Sequence, residues 1–72
     1  MSYDKTRTYK KIEIIGTSKK SFEDAVQAGI SKASQTLDKL SWFEVEEMHG
    51  HIGENGKIDE YQVLMKVSFE LK

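Results

Sequence analysis

The sequence predicts an α+β fold in the order β-α-β-β, with a three-stranded antiparallel sheet wrapped on one helix. Three observations predict it. An apolar stripe of helical period occupies the middle of the chain, and segments alternating between apolar and polar residues flank it. The clearest alternation runs from Tyr61 to Leu71. A Gly53-Glu54-Asn55-Gly56 stretch with the composition of a hairpin turn separates the last two alternating segments. Seventy-two residues make one domain over 1–72, and residues 1–5 are expected to fray.

The first strand is read over Tyr9 to Ile15, with Ile12 and Ile14 on one face and Lys11, Glu13 and Ile15 on the other. Gly16-Thr17-Ser18 is expected to break it. The helix follows. Phe22, Val26, Ile30, Ala33, Leu37 and Leu40 recur at spacings of 4, 4, 3, 4 and 3, a continuous stripe. Ser18 and Ser21 are the N-cap candidates. Ser21 is favoured, because Asp24 three residues on completes a capping-box pattern and because Lys19 and Lys20 would oppose the helix dipole. Gly29 inside the helix costs about 1 kcal/mol relative to Ala, so it marks either a close contact or a tolerated imperfection.

Two strands complete the chain, Ser41–Ile52 and Ile58–Leu71. A two-residue loop at Asn55-Gly56 would mix their faces. A three-residue Glu54-Asn55-Gly56 loop, with Gly56 left-handed, pairs Phe43 with Val67, Val45 with Met65 and Glu44 with Lys66. That register is preferred. It sets Gln62 opposite Met48, and it puts Trp42, Glu44, Met48 and Leu64 on the face away from the helix. The only tryptophan thus points outward among carboxylates, on a face with no second layer in the chain.

Composition narrows the function classes. There are 11 basic and 12 acidic residues, a net charge of −1, which argues against a general nucleic-acid binder. With no cysteine there is no disulfide and no thiolate metal site. No apolar run has membrane-spanning length and the N-terminus is no signal peptide, so the cytoplasm is the default compartment. His49-Gly50-His51 with Glu47 places two imidazoles and a carboxylate on one strand face, but two histidines without a further identified ligand make a weak zinc signal, and no metal is expected. No activated nucleophile and no acid–base pair beside a pocket can be found, so an enzyme is not expected.

The marks Gly16-Thr17-Ser18, Ser41-Trp42-Phe43-Glu44-Val45 and Tyr61-Gln62-Val63, in this order and spacing, resemble the dodecin family. These are small flavin-binding proteins that assemble as hollow homododecamers. The resemblance implies a flavin stacked on Trp42 and hydrogen-bonded at its polar edge by Gln62, with His49 and Glu44 as further cofactor-binding candidates. FMN is the first choice of flavin, with riboflavin and FAD as further candidates. The implied role is storage and sequestration that limits flavin photochemistry. Certain bacterial dodecins carry arginines near the flavin phosphate where this chain has His49 and Glu70, which leaves phosphate gripping in doubt. Some also bind coenzyme A, for which Lys10 and Lys32 are the candidates here.

Geometry contributes a separate argument. In the preferred register Gln62 lies six residues along the strand from Trp42, roughly 20 Å at about 3.3 Å per residue. One flat hairpin cannot bring both to one ring, so the pocket is expected between subunits. The alternative reading is a homo-oligomeric interaction module in which Trp42 serves only as an interface anchor.

Overall fold

The computed structural model describes residues 6–72. The expected fraying of residues 1–5 lies outside the described residues. The elements are β1 (Tyr9–Ser18), α1 (Phe22–Ala33), β2 (Leu40–Ile52), a 3₁₀ turn (Glu54–Gly56) and β3 (Ile58–Glu70). They form one antiparallel sheet in the order β1-β3-β2. This is the β-α-β-β arrangement that the periodicities predict.

β1 does not stop at Gly16. It runs through Ser18, with Gly16 paired to Val63 and Ser18 to Tyr61. Gly16 stays in the strand because α1 crosses it there: a Cβ at Gly16 would lie 2.1 Å from the carbonyl oxygen of Ala25. Gly29 approaches the same point from the helix side, with the Gly16 Cα and the Met65 methyl as its neighbours. Gly29 therefore marks a close contact.

Ser21 is the N-cap, and its hydroxyl accepts the Asp24 N–H at 3.0 Å. The Asp24 carboxylate does not reach back to Ser21. It accepts from the Ser18 hydroxyl at 2.7 Å, and Ser18 Oγ in turn accepts the Lys20 amide at 2.8 Å. Ser18 thus ties the strand end to the helix start. The helix ends at Ala33, short of Leu37 and Leu40 in the apolar stripe. The Ser34 hydroxyl donates to the Ser31 carbonyl at 2.8 Å, and the backbone tightens into single turns through Thr36. Such local side-chain bonds compete with helix continuation. Lys39 then takes a left-handed φ of 61°, and Leu40 opens β2.

The buried core is Ala25, Val63, Met65 and Val67, ringed by Ile12, Ile14, Phe22, Val26, Ile30 and Leu40. All of it lies between α1 and the β1–β3 half of the sheet. Strand β2 has no buried residue along its 13 positions. Phe43 and Val45, on its helix side, are 46% and 44% exposed. The radius of gyration is 15.5 Å, against about 11 Å for a compact chain of this length. The hairpin therefore projects beyond the helix with apolar side chains uncovered.

The three-residue loop forms as expected, with Gly56 at φ 73°, and Asn55 is left-handed too at φ 66°. The register holds near both ends of the hairpin: Ile52 pairs with Ile58, Val45 with Met65, Glu44 with Lys66, Phe43 with Val67 and Trp42 with Ser68. In between it slips by one. Asp59 has no partner on β2, and Glu46 has none on β3. These are bulges, one extra residue on each strand. The second cancels the first. A third bulge at Ser41 lets Leu40 turn toward the core while Trp42 faces out.

The slip corrects two expectations. Gln62 pairs with His49, not Met48, and Met48 pairs with Val63 on the helix side. Between the bulges, Glu47, His49 and His51 therefore share the face of Trp42. Unbroken alternation from Trp42 would place them on the other face.

Candidate functional site

The face without a helix carries the candidate residues at two stations. The first is at the end of the sheet formed by the start of β1 and β2 and the end of β3. There Trp42 lies beside Ser68, and Ser68 beside Lys11. The small Ser68 on the central strand leaves room above it for side chains from the outer strands. The Tyr9 and Trp42 rings meet at a centroid distance of 4.8 Å, tilted by 57°. Trp42 is still 44% exposed. The Ser68 hydroxyl is fully buried and has no hydrogen-bond partner.

Ion pairs flank this aromatic pair. Glu44 accepts a short hydrogen bond from Lys11 across the central strand. Glu70, the cross-strand neighbour of Tyr9, faces the Arg7 guanidinium at 3.6 Å. At the position where the resemblance leads one to expect an arginine, the chain thus has a carboxylate that itself holds an arginine.

The second station is Gln62 with His49 directly opposite. The Gln62 amide donates to Glu60 Oε1 at 2.8 Å, which orients the carboxamide and uses one of its two N–H donors. His49 Nδ1 lies 3.6 Å from Glu47 Oε1. His51 sits nearer the loop and is occupied by Asp59, Nδ1 to Oδ2 at 3.0 Å. Each imidazole has its own carboxylate. Among the described residues, no group of three His, Cys, Asp or Glu side chains is placed to hold a metal ion.

The two stations remain separate within one chain. Trp42 is level with Ser68, and Gln62 lies six residues away on the same strand, about 20 Å. Lys32 is elsewhere, in a groove with Ile12, Ile14 and Leu37 on the helix side, and Lys10 shares that side as the partner of Phe69. Sequence reasoning missed Tyr9 and Arg7. The alternation of β1 was the available signal, since it puts Arg7, Tyr9 and Lys11 on one face, but alternation alone does not say which strand β1 pairs with.

The fold is a small sheet with one face covered by a helix and one face bearing an exposed indole. Comparison with known proteins identifies the family. The family model described as Dodecin matches residues 8–72. The dodecin of Thermus thermophilus is 48% identical over 66 residues, covering 92% of this chain and 94% of the relative. The crystal structure of the tt0972 protein from Thermus thermophilus, 48% identical with 93% of this chain and 97% of that one covered, superposes with a TM-score of 0.87. The dodecin of Streptomyces davaonensis is 45% identical, also with a TM-score of 0.87, covering 92% of this chain and 96% of that one. The calcium dodecin of Mycobacterium tuberculosis is 34% identical, with 89% of each chain covered.

The chain belongs to the dodecin family, whose members are non-enzymatic binding proteins. The Thermus protein has also been solved with a tryptophan replaced by phenylalanine and with either of two arginines replaced by alanine. Here Arg7 is the only arginine in the sequence. Among the described residues no helix is long and apolar enough to cross a membrane.

Proposed function

We propose that this chain is a flavin-binding storage protein that works as a homo-oligomer, the hollow dodecamer implied by its family. One observation carries the reading. Trp42 and Gln62, an aromatic face and an amide edge, share one uncovered face but lie about 20 Å apart. A single planar ligand contacts both only when they come from different subunits, so assembly and binding are coupled.

The residues fit a flavin. The indole presents a flat apolar surface to an isoalloxazine ring, and such a contact contributes about 0.5–1.5 kcal/mol beyond area burial. The Gln62 carboxamide offers a carbonyl oxygen and a second N–H to the ring's donor–acceptor edge, and His49 opposite it adds a further polar group to that edge. Glu44, held by Lys11, borders the indole. Stacking also brings an excited flavin into contact with an electron-rich indole, which returns it to the ground state before photochemistry occurs. FMN is the preferred ligand, with riboflavin and FAD as further candidates. Coenzyme A is a candidate for the helix side, where Lys10 and Lys32 lie.

The test is a titration of FMN and riboflavin with the protein, followed by flavin fluorescence, alongside the Trp42→Ala variant. Wild type should quench the flavin at micromolar protein. The variant should lose the quenching and keep its assembly by light scattering. If wild type leaves flavin fluorescence unchanged, the reading fails. If Trp42→Ala disperses the assembly and wild type binds no flavin, the tryptophan is an interface anchor only.

A further inference from the structure

The end of the open face that holds Trp42 contains a run of three groups: indole, phenol and guanidinium. Tyr9 touches Trp42, and Arg7 is two residues before Tyr9, hence on the same face. The backbone there is anchored, because the Thr8 carbonyl accepts the Leu71 N–H at 2.8 Å. Glu70, the neighbour of Tyr9, holds the guanidinium at 3.6 Å. That distance is an ion pair and too long for a hydrogen bond, so the pair positions Arg7 without using an N–H. The Arg7 side chain is 61% exposed.

The other cations of this face are differently placed. Lys11 is hydrogen-bonded to Glu44, and Lys66 is drawn to Glu46 at 3.8 Å. His49 stands opposite Gln62, at the station assigned to the ring's polar edge, about 20 Å from Trp42. In a flavin nucleotide the phosphate ends a five-carbon chain attached at N10 of the central ring, so it extends beyond the part of the ring that stacks on the indole. Among the described residues beside Trp42 on this face, Arg7 is the cation not already hydrogen-bonded to a carboxylate.

We propose that Arg7 is the residue that selects for the phosphate of the ligand, with Glu70 acting as a positioning residue that holds the guanidinium in place. The inference rests on the flavin reading above and names which flavin it favours, the phosphorylated one. Arg7 lies four residues before Lys11, the residue on the row of Trp42, about 13 Å in extended chain. A phosphorylated five-carbon chain and an arginine side chain together span that gap. The planar fork of an arginine suits a phosphate monoester, which it grips through two parallel N–H···O bonds.

The experiment compares dissociation constants for FMN and riboflavin in wild type, Arg7→Gln, Arg7→Lys and Glu70→Gln, with light scattering on each to confirm equal assembly. Wild type should bind FMN about tenfold more tightly than riboflavin, the worth of a charge-assisted hydrogen bond at a partly exposed site. Arg7→Gln should bring the ratio to within about twofold by weakening FMN alone. Arg7→Lys should restore part of it, and Glu70→Gln, which frees the guanidinium, should lower the ratio part of the way toward that of Arg7→Gln. A ratio unchanged in Arg7→Gln, or a ratio near one in wild type, overturns the assignment and leaves the flavin reading standing. Failure of both flavins to bind wild type overturns the flavin reading and this inference together.

Discussion

Replacing Gly16 by alanine should unseat the helix. The added Cβ would lie 2.1 Å from the Ala25 carbonyl oxygen and 3.1 Å from its carbon, about 1.3 Å short of ordinary contact at 3.4 Å. Neither partner can swing aside, because one is strand backbone and the other helix backbone. The helix must rise from the sheet, opening space around Met65 and Val63, which are fully buried. Overpacking a core typically costs 1–3 kcal/mol, and a clash between two backbones belongs at the top of that range or above it, about 3 kcal/mol. Gly29→Ala is the control. Its Cβ meets the Met65 methyl at 2.6 Å, the end of a flexible side chain, and the Gly16 Cα at 3.3 Å, a contact that a shift of a few tenths of an ångström relieves, and alanine gains about 1 kcal/mol of helix propensity over glycine. Its net loss should stay under about 1.5 kcal/mol. Urea unfolding followed by Trp42 fluorescence, at one fixed protein concentration because assembly contributes to stability, reads both variants. Equal midpoints for the two, or a loss under about 1 kcal/mol for Gly16→Ala, would refute the seating of α1 on β1 described above.

Val45→Asp puts a carboxylate on the uncovered helix side of β2 and should disperse the oligomer to smaller species by light scattering, while circular dichroism keeps its strand signal. Ser21→Ala removes the hydroxyl that accepts the Asp24 amide and should lower stability by about 1 kcal/mol in the same urea assay. Tandem replacement of Ser21 and Ser18 should exceed the sum of the single effects, because both hydroxyls hold Asp24, Ser21 through its amide and Ser18 through its carboxylate.

The outward indole was legible because alternation around Trp42-Phe43-Glu44-Val45 survives intact in β2, and the hairpin register at both ends followed from matching apolar faces. What lay between was not legible. A bulge has no sequence mark of its own when the extra residue is a Glu or Asp, so the slip at Glu46 and Asp59 stayed hidden and with it the meeting of His49 and Gln62. The helix end was missed for a different reason. Leu37 and Leu40 continue the helical spacing and are half-buried, yet they pack from a turn and from a strand. Periodicity reports which side chains face the core and says nothing of the backbone that carries them. Tyr9 escaped because strand order, β1 beside β3, is a tertiary fact that decides which aromatic rings meet.

The unpaired residues Glu46 and Asp59 also determine where this protein tolerates a change in length. Excising Glu46 would join Val45 to Glu47 with Met65 and Leu64 still opposite them, and excising Asp59 would join Ile58 to Glu60 with Ile52 and His51 likewise undisturbed. A codon lost between those two places, outside the turn, would instead invert the inside and outside of everything beyond it. Drift in hairpin length is thereby steered to two acidic residues, leaving the tryptophan and the glutamine on a common side.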